Sequence, residues 1–157
     1  MHAPNKTKLR LAGFALALAS IAGGAALARE SKAIQLTSLS EMTWTPLMSG
    51  PLPAVAPIEG SATKGGYLGY LKLPAGFVSP PHTHTSDYWA VLVQGKMTHW
   101  AAAGGSEKDA KPLAVGDLTF MPGKVEHVSK CYAGADCILV VMQKGKFDFV
   151  PAAAPKK

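Results

Sequence analysis

The chain has 157 residues and only five histidines, and two of these, His82 and His84, stand two positions apart directly behind Pro80 and Pro81. On an extended strand, side chains at i and i+2 leave the same face, roughly 6–7 Å apart. Two imidazoles so placed can share one divalent metal ion. Proline fixes φ, so the Pro-Pro pair stiffens the approach and reduces the entropy lost in holding both rings. The same pair on a surface loop would be two solvated side chains, and the H-x-H spacing alone does not separate these readings.

The wider spacing does more. Five residues separate Gly76 from His82, and Gly95 closes the apolar run that follows His84. Farther on, five residues separate Gly116 from Pro122, and His127 comes five positions after that proline. The pattern resembles the cupin superfamily, whose first motif reads G-x5-H-x-H-x3,4-E-x6-G and whose second reads G-x5-P-x-G-x2-H-x3-N. Gly76, His82, His84 and Gly95 match the first motif; Gly116, Pro122 and His127 match the second. The resemblance runs from about residue 66 to residue 144. It implies an all-β, single-domain, cupin-type antiparallel barrel (a double-stranded β-helix, or jelly roll) with His82, His84 and His127 gathered at its open end around a metal.

Three positions depart from the motifs. Tyr88 stands where the family has its glutamate, Lys124 where it has the second-motif glycine, and Cys131 where it has asparagine. Asp87 neighbours the glutamate position, but on a regular strand it faces the other way and reaches a metal only through a bulge. The closing stretch from His127 to Pro151 resembles the end of a subgroup of small, uncharacterised cupins. That subgroup has a His-x-Ser/Thr-x-Cys segment, a second cysteine and a final Gly-x-Phe-Asp. A fold does not supply an activity.

A site of three neutral imidazoles leaves a divalent ion its full charge and open positions, so it prefers anionic, chelating ligands. Fe(II) there suits enolates, diketonates or catecholates together with dioxygen; Zn(II) suits hydrolase-like or lyase-like chemistry. Imidazole also accepts Cu and Ni, and Mn less readily, so the donor set leaves the metal open. Tyr88 is a candidate catalytic proton donor or ligand-binding hydroxyl, and equally a ring that fills the barrel. His99 is a weaker candidate for a fourth ligand. Met97, Met121 and Met142 read as core filler rather than copper ligands, and Glu126 as solvated. Cys131 shares strand parity with His127, so it either faces the site as a thiolate or pairs with Cys137 in a disulfide; an exported pair favours the disulfide. That bond would pin, across the turn Tyr132 to Asp136, a hairpin whose first strand carries His127; it closes so short a loop that it is worth only about 2 kcal/mol.

The elements that position these residues are short strands. After Ala28 no segment carries a helical apolar period. Residues 66–73, 87–95, 96–102, 116–123, 127–131 and 137–144 read as strands broken by Gly and Pro turns, and 104–112 as a polar turn. Prolines 46, 51, 53 and 57 suit an extended loop or edge strand. Ala33 to Leu36 is one further candidate strand. The domain plan is a signal peptide over 1–28, an N-terminal extended segment with an edge strand over 29–65, a cupin barrel over 66–150 and a flexible tail over 151–157. Lys6, Lys8 and Arg10 precede eighteen uncharged residues ending Ala26-Leu27-Ala28, the form of a cleavable secretory signal rather than an anchor. Cleavage there would leave 13 basic and 10 acidic residues, a mild balance of +3 with scattered lysines. No basic stripe for nucleic acid is present. The expectation is therefore a periplasmic or secreted cupin, free of the membrane after cleavage, pairing through edge strands as a homodimer. Its function is either metal-dependent, dioxygenase-like catalysis on a small oxygenated or anionic chelating molecule, or non-catalytic binding or sensing of such a ligand.

Overall fold

The computed structural model describes residues 34–47 and 53–152. The signal-peptide reading of residues 1–28 and the last five residues of the tail lie outside the described residues. Contacts divide the chain into Met1–Leu36 and Thr37–Lys157, and every strand belongs to the second unit. In the first, residues 34–36 form no strand, and Ile34 and Leu36 are exposed, so the candidate strand at 33–36 is not found over its described residues.

Among the described residues eleven strands follow: β1 (Thr45–Pro46), β2 (Ala54–Gly60), β3 (Tyr67–Leu73), β4 (His82–Thr83), β5 (Tyr88–Gln94), β6 (Met97–Ala101), β7 (Pro112–Leu113), β8 (Leu118–Met121), β9 (His127–Cys131), β10 (Cys137–Gln143) and β11 (Val150–Pro151). They make two antiparallel sheets, ordered β1-β2-β3-β10-β5-β8 and β11-β4-β9-β6-β7. From β3 to β11 the chain changes sheet at every step but one, β6 to β7. This winding closes a jelly roll from strands too short to be stable alone. The proline-rich segment supplies the edge strand β1 and the strand behind it; between Pro57 and Glu59 the ladder slips by one residue, a bulge of the kind at which a strand tolerates proline.

Alternation sets the core. Along β3 the inward residues are Tyr67, Gly69, Leu71 and Leu73; along β5 they are Tyr88, Ala90 and Leu92, while Trp89 looks outward. These meet Met97, Leu139 and Val141 in one apolar cluster, each fully buried large side chain contributing about 1.5–3 kcal/mol. Met97 and Met121 are core filler as the sequence implies, whereas Met142 lies exposed on the outer face.

Cys131 and Cys137 form a disulfide, so neither offers a thiolate to a metal. The bond does not pin a hairpin, because β9 and β10 lie in different sheets; it staples the corner where the chain crosses between them. Gly95 makes the other crossing beside it. Its φ is +86°, and a Cβ there would lie 2.8 Å from the Asp136 carbonyl oxygen and 2.9 Å from Cys137 Sγ. Only glycine fits that corner.

Lys124, at the position where the cupin motif has glycine, has φ +63°. Its N–H donates to the His84 carbonyl at 2.7 Å, tying the turn before β9 to the H-x-H segment. A side chain in the left-handed region costs about 1–2 kcal/mol, partly offset by glycine's freer unfolded chain. Lys124→Gly is therefore expected to raise stability by about 0.5–1 kcal/mol in urea unfolding, with the site unchanged. A loss of stability would mean that the lysine side chain holds the turn.

Candidate metal centre

His82 and His127 face each other across the β4–β9 ladder, in register. His84 follows β4 with its ring turned to the same side: centroids lie 5.0 Å apart for His82 and His84, 4.3 Å for His82 and His127, and 5.2 Å for His84 and His127. All three are buried, and each offers one nitrogen to a cluster in which those atoms lie within 4.8 Å of one another. Nitrogens that share one ion at about 2.0–2.1 Å lie at most about 4.2 Å apart, so separations of up to 4.8 Å close by a few tenths of an ångström as an ion binds.

The hydrogen bonds select which nitrogen is offered. His82 Nδ1 lies 2.9 Å from the Pro80 carbonyl and 3.3 Å from Ser79 Oγ, the shorter contact with an obligate acceptor setting its tautomer; His127 Nδ1 lies 2.9 Å from the Val125 carbonyl, and His84 Nδ1 meets the Asp148 carbonyl. A carbonyl only accepts, so each Nδ1 carries the proton and donates it. Each Nε2 is left as a lone pair, the form a metal requires. His127 Nε2 is buried with no hydrogen-bond partner among the described residues. Such an atom costs about 1–3 kcal/mol unless something else satisfies it. A divalent cation fits this donor set.

Burial keeps these rings neutral. It pulls His82 down to about 4, against the Pro80 hydrogen bond and reinforced by the other two rings. It pulls His84 to about 4 and His127 in the same direction, and His99 to about 3. Each ring must take up a proton on unfolding whenever the pH is below its unfolded value of 6.5. The unfolded chain then binds more protons than the folded one between about pH 4 and 6.5. Metal-free protein should therefore gain stability as pH rises through that window and level off above it. The slope is about 1.4 kcal/mol per pH unit for each ring still neutral. Thermal midpoints of chelator-treated protein at pH 4.5, 5.5 and 7.5 read this directly; equal midpoints would mean that the rings are solvated.

The tail builds the other wall. β11 pairs with β4, Pro151 opposite His82, so the chain beyond residue 150 is tied down for at least this step. The preceding strap stacks Phe149 on His82 at 4.4 Å and Phe147 on His84 at 5.1 Å between centroids. Asp148 lies between these phenylalanines. Its carboxylate accepts from Thr85 N at 2.8 Å and Thr85 Oγ1 at 2.6 Å, and pairs with Lys146 at 3.4 Å. This fixes the carbonyl that orients His84. The sequence drew attention to the closing Gly-x-Phe-Asp, but not to these roles. An aromatic-Asp-aromatic triplet hinted at two rings facing one way.

Other candidates fall out differently. Asp87 is exposed and accepts from Gly123 N at 2.7 Å, away from the histidines. Glu126 is exposed. Tyr88 is buried, edge-on to His84 at 5.1 Å, and lines a cavity of about 500 Å³ together with His82, His84 and His99. Burial pushes its phenol well above its ordinary value, so it remains a protonated donor. His99 lies outside the three-nitrogen cluster, its ring 6.1 Å from that of His127.

No family model and no curated protein matches the sequence. Solved structures do match the fold. The chain is similar to an RmlC-like cupin from Ralstonia eutropha (19% identity, TM-score 0.55, 71% of this chain and 68% of that one). It is also similar to the polyketide cyclase RemF from Streptomyces resistomycificus (14%, 0.58, 79% and 89%) and to the DMSP lyase DddQ from Ruegeria pomeroyi (16%, 0.56, 75% and 64%). At these identities the likeness is one of architecture. The chain has the all-β cupin fold, with a buried cluster of three histidines compatible with a metal ion.

Proposed function

We propose that this cupin barrel binds a divalent transition metal (Fe, Zn, Mn, Ni or Cu) through Nε2 of His82, His84 and His127, and acts on a small oxygenated or anionic chelating molecule. The observation that carries the reading is the matched set of three Nδ1–carbonyl bonds, which turns three lone pairs toward one region. A bound ion supplies Lewis acidity there, undiminished by any carboxylate ligand. Dioxygenase-like chemistry is the form of turnover we favour. The phenylalanine strap and the apolar lining from Leu71, Leu73, Phe77 and Leu139 exclude water and seat an apolar body. Tyr88 presents its phenol to the same cavity, as a candidate catalytic donor. Architecturally similar barrels include a polyketide cyclase and a DMSP lyase, both named for work on small molecules.

A binding or sensing role is the second reading, and one observation favours it. The carboxylates of Asp87 and Asp148 are already engaged, Asp87 by Gly123 and Asp148 by Thr85 and Lys146, so neither stands free as a base. The test is to load purified protein with each metal, measure the bound stoichiometry, and follow oxygen uptake with diketones and catechols. Bound metal with turnover supports the enzyme; bound metal with ligand affinity and no turnover supports the binder. Protein that takes up no metal overturns both.

The disulfide supports an oxidising compartment, periplasmic or extracellular, in keeping with the signal-peptide reading of residues 1–28. We also place a homodimer contact on this protein. Besides the edge strands, the outer face of β5, β8 and β10 carries exposed Trp89, Leu118, Phe120 and Met142, apolar side chains that a second copy would cover.

A further inference from the structure

His99 is a polar group in this cavity that the metal reading leaves unused. It stands on β6, opposite Ser129 of β9. Its Nδ1 lies 2.9 Å from Ser129 Oγ, and its Nε2 is buried with no partner among the described residues. Ser129 is held in turn: its N–H donates to Ser79 Oγ at 2.9 Å, and its carbonyl accepts from Ser79 N at 2.9 Å. The ring is therefore fixed rather than idle, with its edge on the cavity wall.

The tautomer differs from that of the triad. Ser129 Oγ has one hydrogen-bond partner among the described residues, His99 Nδ1. A hydroxyl proton buried there must find an acceptor, so it goes to Nδ1. His99 then carries its own proton on Nε2. In His82, His84 and His127 the carbonyls force the opposite arrangement. Three rings present lone pairs and the fourth, 6.1 Å from His127, presents an N–H. An N–H cannot ligate a cation, but it can donate to an oxygen held beside one.

We infer that His99 Nε2–H is the hydrogen-bond donor to an anionic oxygen of the ligand held at the three-histidine centre. The inference rests on the metal reading above and sharpens its substrate class. The ligand carries an oxyanion (enolate, catecholate or hydroxamate in type) on an apolar body, and His99 recognises that oxygen. His99 is a ligand-binding residue, not a fourth metal ligand.

The experiment loads full-length protein with Co(II) and titrates acetohydroxamate, a bidentate oxygen anion, by visible absorption. It compares the wild type with His99→Phe, which keeps a ring and removes both nitrogens, and His99→Gln, which keeps an amide donor. Both variants should retain one Co(II) per chain. His99→Phe should bind acetohydroxamate about tenfold more weakly or worse, and His99→Gln should recover most of the loss. Unchanged acetohydroxamate affinity in His99→Phe overturns the inference. So does loss of Co(II) from both variants, which would make His99 a ligand to the metal. Wild-type protein that binds no Co(II) overturns the metal reading and this inference together, and the empty wild-type arm distinguishes that failure from the other two.

Discussion

His127→Ala is expected to lower affinity for Zn(II) or Co(II) by a hundredfold to a thousandfold. Zinc sites built wholly from protein ligands bind with about 10–16 kcal/mol, so one donor is worth about 3–4 kcal/mol. His127 is the one donor of the cluster outside the H-x-H segment, 4.3 Å from His82 and 5.2 Å from His84 between centroids. Alanine there leaves two donors on one short segment, and two imidazoles hold a hydrated ion only weakly. The same loss is expected for His82→Ala. Competition against a chromophoric chelator measures it, with circular dichroism to show that the sheets persist. Affinity within a few fold of wild type would mean that the ion binds elsewhere or that the rings merely pack.

Asp148→Ala is expected to weaken metal binding 10- to 100-fold without removing a ligand, the usual effect of losing a group that orients one. The carboxylate bonds the N–H and hydroxyl of Thr85, the residue after His84. Its own backbone carbonyl takes the Nδ1 proton of His84. One residue thus fixes both the backbone beside the ligand and the ring itself. Without the carboxylate the strap loosens, the carbonyl drifts, and His84 samples the wrong tautomer. Asp148→Asn keeps one acceptor for Thr85 and should lie between the two. Metal affinity that is equal in wild type and Asp148→Ala would show that the phenylalanines, not the aspartate, position the ring.

The fold was largely legible because it rests on local signals. The strands read at 127–131 and 137–144 stand at 127–131 and 137–143, because Gly and Pro punctuation and period-two alternation mark them locally. The histidine grouping was legible from motif spacing, since a jelly roll's turns fix which strands become neighbours. What was not legible depends on non-local pairing. Residues 33–36 have the composition of a strand, but composition does not provide a neighbouring strand. The cysteine spacing suggested a hairpin staple, but it could not show that β9 and β10 enter different sheets. Asp148 and Phe149 lie more than 60 residues from the histidines they serve, and no local pattern joins them. The unlike tautomer of His99 depends on a hydroxyl thirty residues away.

X-ray absorption on protein loaded with one equivalent of Zn(II) tests the central claim most directly. Three imidazole nitrogens at about 2.0–2.1 Å, with the multiple-scattering signature of histidine rings and the remaining positions filled by light oxygen donors, are expected. A first shell without histidine scattering, or one dominated by carboxylate oxygen, would contradict it.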